Sequence, residues 1–289
     1  MTSPPDDAPP AMIPIFPLPV VLFPGMKLPL VVFESHYIEM IQEITACNAE
    51  MGVTLYLETQ MENVAVATSV GTMARVLAVD AHTEGRLAIL VEGVRRFKIT
   101  RIDSESKPYL LAEVAPYEDE APQTPAALRE ELLAAFRHML SLYAQTQAAR
   151  RDADQDPDRE RDQSDPDSAD AALGPERDPE TDPDADALAA SFSGPLSEAF
   201  EQALENVMED LGDFESIDFS GLSDADLTYR VGEFLNHDET IQQKLLEMRA
   251  CEERMNEEKT HLEALTRRLA LMRQINDVFR KPSGDESAS

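Results

Sequence analysis

Apolar positions along the chain follow two periods. Short runs suited to strands extend to about residue 118, and stripes at three-to-four spacing begin at residue 125. The first regime opens with Ile13 to Leu30, IPIFPLPVVLFPGMKLPL, which has almost no charge and five prolines. Proline fixes φ and cannot donate a ladder hydrogen bond, so this stretch predicts short apolar edge segments separated by rigid corners. Ile13, Ile15 and Leu18 supply the first segment, Val20 to Phe23 the second, and Leu28 with Leu30 the third. Phe23-Pro24-Gly25-Met26 puts Pro second and Gly third in a tight turn. That is the composition of a type II turn, whose third residue needs φ > 0.

Leu30 to Phe33 completes a strand, and Ser35 is positioned to cap a helix. Tyr37, Ile38, Ile41, Ile44 and Thr45 give that helix one apolar face ending near Asn48. Val53 to Leu57 predicts a buried strand from its β-branched and aromatic content. A meander follows: Val70 to Val79, a turn over Asp80 to Gly85, a return over Arg86 to Val91, a bend or bulge at Glu92-Gly93, then Val94 to Ile102 and Pro108 to Val114. Six or so short strands with one early helix imply a closed or nearly closed barrel.

Helical stripes then take over. Leu128, Leu132, Leu133, Phe136, Met139, Leu140 and Tyr143 mark a helix from Pro125 to about Ala149, and a second stripe runs from Leu188 to Leu211. Ser223 with Asp226 forms a capping pair for Leu227, Val231, Phe234 and Leu235. After Asp238 a single long helix is predicted to run to about Arg280, with a near-heptad seam of Ile241, Leu245, Met248, Met255, Leu262, Leu265, Leu269, Met272 and Phe279. A helix of about forty residues is about 60 Å long. The barrel cannot cover all of it, so it must pack on other helices or on a partner chain, which makes it a candidate for homo-oligomerisation.

Charge changes the picture in one place. The chain has 25 basic and 56 acidic residues, net −31, among 289. Fifteen Asp/Glu fall within residues 150–187, beside five Arg, five Pro and one Leu, so that stretch is expected to be a disordered insertion between helices. Residues 1–11 and 281–289 are expected to be disordered tails. The overall charge repels phosphates and anionic headgroups, which argues against nucleic-acid or membrane partners. The hydrophobic share of 43% is that of a globular protein. Cys47 and Cys251 read as reduced thiols, and the N-terminus has no signal-peptide pattern. With no long apolar run either, the expected location is cytoplasmic.

Four ordered blocks resemble the N-terminal, substrate-binding domain of the Lon protease family. They are Phe16-Pro17-Leu18 with Val21 to Met26, Leu28 to Leu30 and Phe33-Glu34; Val70-Gly71-Thr72-Met73-Ala74; Leu90 to Phe97; and Pro108-Tyr109-Leu110. The likeness covers about residues 12 to 118, and more weakly 222 to 280. It implies an α+β fold: a PUA-like β-pseudobarrel over 12–121, followed by an α-helical bundle over 122–149 and 188–280 with one long C-terminal helix. It also implies partners that are unfolded or degron-bearing polypeptides, and an ATP-dependent protease. The expected role is non-catalytic, as an adaptor or regulator of proteolysis. An accessory protease subunit and a structural oligomerisation module are the alternatives.

Catalytic chemistry is not legible in the residues. None of the eleven glycines begins a G-x-x-x-x-G-K-[ST] phosphate loop, and no lysine sits in a sequence like the family's Ser-Lys protease dyad. The five histidines are isolated, and the Asp152 to Asp158 run lacks the Gly and Glu of a calcium loop, so no metal or cofactor is expected. Arg95, Arg96, Lys98 and Arg101 form one basic cluster, readable as a nucleic-acid strand or as an exposed face balanced by Glu92 and Asp103; the overall charge favours the second. The candidate peptide-binding residues are Phe23, Met26 and Leu28, apolar and adaptable at a turn. The alternative is that they staple the mouth of the barrel shut.

Overall fold

The computed structural model describes residues 12–58, 65–81, 86–120, 124–154, 219, 221–235 and 238–280. Seven strands come first: β1 (Met12–Leu18), β2 (Lys27–Val32), β3 (Met51–Glu58), β4 (Ala65–Ala67), β5 (Val70–Ala81), β6 (Leu87–Asp103) and β7 (Leu110–Pro116). Helix α1 (Ser35–Cys47) lies between β2 and β3. Among the described residues four further helices follow: α2 (Ala126–Asp154), α3 (Asp224–Glu233), α4 (Glu239–Glu247) and α5 (Cys251–Arg280). The expected stripe over 188–211, the tails and all but the start of the acidic stretch fall outside the described residues. None of the described helices is long and apolar enough to cross a membrane.

The strands close on themselves in the order β1-β7-β6-β5-β3, and a parallel β1–β3 pair completes the ring. β2 adds to β6, and β4 adds to β3. The prolines explain how the ring tolerates β1. Met12 to Pro14 pair only with β7, Phe16 to Leu18 only with β3, and Ile15 with both, so Pro14 and Pro17 each lie where the strand has one neighbour. Pro29 follows the same rule on β2. Gly93 donates its N–H to Met26 O at 2.9 Å, which makes Lys27–Glu92 a non-hydrogen-bonded pair. Alternation then turns the amides of Lys27, Pro29 and Val31 away from β6, so the missing donor falls on the free edge.

Sequence and structure part at several points. Val20 to Phe23 is not a strand, although Val21, Leu22 and Phe23 are buried. Glu34 rather than Ser35 is the residue before α1, and its side chain caps nothing. Arg86 to Ile102 does not divide into two strands: β6 is continuous for 17 residues, and the extra residue Val94 forms a bulge between the Met73–Arg95 and Ala74–Gly93 pairs. The expected single helix from Asp238 is broken. α4 stops at Glu247, Met248 is extended (φ −69°, ψ 129°), and α5 starts at Cys251.

Three apolar clusters hold the molecule. Within the barrel, α1 contributes Met40, Ile41 and Ile44 to a cluster with Phe16, Leu18, Met51, Val53, Ile89 and Val91. Ile15, Met73, Phe97 and Ala112 fill the second. The third joins the outside of the barrel to the helices through Phe23, Leu55 and Val70, packed with Leu132, Phe136, Leu227, Val231, Leu245, Met255 and Leu262. α2 and α5 form a parallel arm: Lys259 bonds Glu131 and Arg273 bonds Gln145, each pair 128 residues apart. The seam of α5 is therefore covered in part by α2 of the same chain.

Candidate polypeptide-binding surface

The turn at the head of β2 has the expected geometry. Met26 N donates to Phe23 O at 3.1 Å, and Gly25 has φ +84°. It is clamped to β6 from both sides, since Gly25 N donates to Gly93 O at 2.8 Å and Gly93 N to Met26 O. This approach requires a glycine at 93, where a Cβ would lie 2.1 Å from Phe23 O.

The three candidate residues diverge. Phe23 is 0% exposed; its ring points into the cluster between barrel and helices, against Gly232 of α3 and 6.1 Å from the Tyr229 ring. A ring so placed cannot meet a ligand while the helices stay docked. Met26 is half-buried and touches both the barrel and the helical clusters. Leu28 is half-buried over the barrel cluster alone. Leu30 and Val76 join it on the same side of the sheet, with Tyr37 and Ile38 from α1. Just past β2, Phe33 is 70% exposed, the most exposed of the large apolar residues described. The residue pattern points to the turn and not to Phe33, which directly follows Val31-Val32 and so reads as the end of the strand.

Behind this surface lies a polar clasp that holds the barrel to the helices. Arg96 is 5% exposed. Its Nη1 donates to Leu246 O and Met248 O, both at 2.7 Å, and its Nη2 to Asp119 Oδ1 at 2.6 Å. Arg254 is wholly buried and meets the same carboxylate at 3.0 and 3.2 Å, with further bonds to Met248 O and Thr228 Oγ1. Two arginines thus share one aspartate, and the carbonyls at the C-terminal end of α4 supply the remaining negative potential. Tyr229 donates to Asp119 Oδ2 at 3.1 Å, and burial pushes its hydroxyl up to about 12. The basic cluster is therefore not a shared exposed face. Arg95 pairs with Glu50 and Arg101 with Glu113, Lys98 stands in solvent, and Arg96 is interior.

Burial without full compensation marks two more carboxyls. Glu258 on α5 is fully buried with no hydrogen-bond partner for either oxygen among the described residues, and desolvation raises its pKa well above the usual value against the pull of Arg254. Glu233 on α3 is raised to about 7 by burial, opposed by Arg230 at 2.6 Å.

Residues 12–264 match the family model of the ATP-dependent protease La (LON) substrate-binding domain. Lon protease of Anaeromyxobacter dehalogenans (strain 2CP-C) is 35% identical over 113 residues, which is 38% of this chain and 13% of that protein. Lon protease of Roseiflexus castenholzii (strain DSM 13941 / HLO8) is 33% identical over 147 residues, 48% of this chain and 18% of that protein. The chain thus spans less than a fifth of the length of these curated relatives. Among solved structures, a Lon N-terminal domain protein from Xanthomonas campestris aligns with TM-score 0.49 at 18% identity, covering 85% of this chain and 95% of that one. The N-terminal domain of Mycobacterium avium complex Lon protease aligns with TM-score 0.45 at 17% identity, covering 88% and 98%. With the family model spanning barrel and helices alike, this chain is a member of the Lon substrate-binding domain family.

Proposed function

We propose that this chain binds apolar segments of unfolded or degron-bearing polypeptides in the cytoplasm and serves proteolysis as a non-catalytic adaptor or regulator of an ATP-dependent protease. The observation that carries the reading is the open apolar strip beside β2, where Met26, Leu28 and Leu30 are half-exposed and Phe33 stands in solvent. Apolar side chains left at a protein surface suit weak, sequence-tolerant contact with other apolar segments. Phe23 acts from behind, holding the turn against the helices. A photocrosslinking side chain at position 28 or 33 is expected to capture unfolded casein, whereas one at exposed Arg267 on the arm is not. Equal capture at all three positions would remove the strip from the mechanism. Turnover of casein by the pure protein, with or without ATP, would overturn the non-catalytic role.

Self-association through the arm is a second reading, favoured by Leu271 and Tyr143, which are exposed on α5 and α2. Sedimentation of the wild type and of Leu271→Glu over a range of concentrations decides it. A mass that falls on substitution supports association, and a monomer in both cases excludes it.

A further inference from the structure

The strip beside β2 runs into a stretch of the barrel where two of four carboxylates have no lysine or arginine partner among the described residues. From Phe33 to Glu50 the chain has Glu34, Glu39, Glu43 and Glu50, and neither Lys nor Arg. Glu43 is held by Lys107 and Glu50 by Arg95. Glu34 meets only His36, at 3.3 Å, and Glu39 is exposed with no ion-pair partner among the described residues. Both flank the apolar group of Phe33, Tyr37 and Ile38 at the start of α1. Other cations nearby are already committed: Arg75 lies against Glu92, and Arg86, which precedes the residue paired with Val32, has a partner of its own.

Resting on the polypeptide-binding reading above, we infer that this surface selects apolar segments that carry lysine or arginine beside the apolar residues. Phe33, Tyr37 and Ile38 supply area without sequence preference, and Glu34 and Glu39 supply the choice. An apolar segment flanked by acid would face two carboxylates at short range, and a cationic one would meet them without displacing any internal ion pair. The net charge of −31 acts in the same sense at longer range, raising the encounter rate of cationic chains.

The test uses the full chain and fluorescein-labelled peptides of one apolar pattern, Leu and Phe spaced by Ser, carrying two Lys, two Gln or two Glu. Fluorescence anisotropy in about 50 mM salt is expected to rank them Lys, Gln, Glu. Roughly three- to ten-fold separates the first two, as for two exposed ion pairs. The gap should close in about 0.5 M salt. Glu34→Gln combined with Glu39→Gln should remove most of the preference while leaving Gln-peptide binding unchanged, and both side chains are exposed enough for the fold to survive. A Lys preference that persists in that variant overturns the inference. Equal binding of all three peptides, lost on Phe33→Ser, also overturns it but leaves polypeptide binding intact. Binding of none of them overturns both.

Discussion

Arg96 of β6 donates to the carbonyl of Met248 at 2.7 Å across 152 residues of chain, and that bond sits where the C-terminal helix breaks. The same guanidinium takes Leu246 O and Asp119, so one side chain bonds the last carbonyls of α4 and helps tie the helices to the barrel. An arginine at the C-terminal end of a helix also meets the negative end of its dipole. Arg96→Met should therefore uncap α4 and strip the partly buried Asp119 carboxylate of one of its two arginines. We expect a loss of about 3–5 kcal/mol, as for other broken buried pairs. Urea unfolding followed by far-UV circular dichroism should separate into two transitions, with the helices melting first. Arg96→Lys should recover only part, because an ammonium lacks the planar fork. A single transition at wild-type midpoint would show that the apolar cluster alone joins the two parts.

Gly93 and Gly25 are both required by one turn, for different reasons. At Gly93 a Cβ would strike the Phe23 carbonyl backbone at 2.1 Å, while at Gly25 nothing lies within 4 Å but φ is +84°. Gly25→Ala is expected to cost about 1–2 kcal/mol of left-handed strain. Gly93→Ala should cost more, about 3 kcal/mol or above, because backbone must move and the two bonds of the clamp go with it. Thermal unfolding of the two variants gives the ranking; a reversed order would mean that β6 shifts freely away from the turn.

What the residues alone made legible was local or periodic. The Pro-Gly turn, the Ser223 cap and the helical stripes each follow from a few adjacent positions, and Ser223 Oγ does accept from Asp226 N at 3.2 Å. The barrel followed from strand spacing, but not its closure through β1, because a parallel pair between Ile15–Leu18 and Gly52–Leu55 has no sequence signature. Nothing in the Met248-Arg249-Ala250 stretch, which lacks Gly and Pro, announces a break. The groups that take up the freed carbonyls lie far away in sequence or beyond the break: Arg96 donates to Leu246 O and Met248 O, Tyr117 to Glu247 O, Glu120 N to Arg249 O and Arg254 to Met248 O. The residues place Phe23 on a turn and leave open whether it faces a ligand or staples the barrel; the partners that bury its ring, Tyr229 and Gly232, come some two hundred residues later.

Stability should fall as pH rises through neutrality. Glu233 has its folded-state pKa raised from 4.5 to about 7, so between these values the folded protein binds more protons than the unfolded one. Its stabilising share is complete below 4.5, shrinks across that window and is gone above about 7. Burial likewise raises Glu258 well above the usual carboxylate range, which adds to the loss in the same direction. For Glu233 the full swing is at most about 3 kcal/mol at 1.36 kcal/mol per pKa unit. Glu233→Gln should flatten the fall of Tm between pH 5 and 7, and Glu258→Met should raise Tm at pH 8, where an orphaned buried carboxyl is replaced by apolar volume. A slope that survives both substitutions would place the titration in other groups.

Phe23 and Phe33 offer the sharpest contrast between holding and binding. Phe23 is enclosed by barrel and helices, so Phe23→Ala should cost about 3–5 kcal/mol and show first as loosened helices. Any drop in polypeptide binding would then follow the unfolded fraction and be recovered by cooling or a stabilising osmolyte. Phe33 is 70% exposed, so Phe33→Ser should leave the unfolding free energy within about 0.5 kcal/mol of wild type. Its effect should instead fall on binding of unfolded casein, several-fold at every temperature at which the protein is folded. If Phe33→Ser binds casein as tightly as wild type, the strip beside β2 is not the contact surface. The half-exposed side of the arm would then become the place to look, with Leu271 and Tyr143 as the first substitutions.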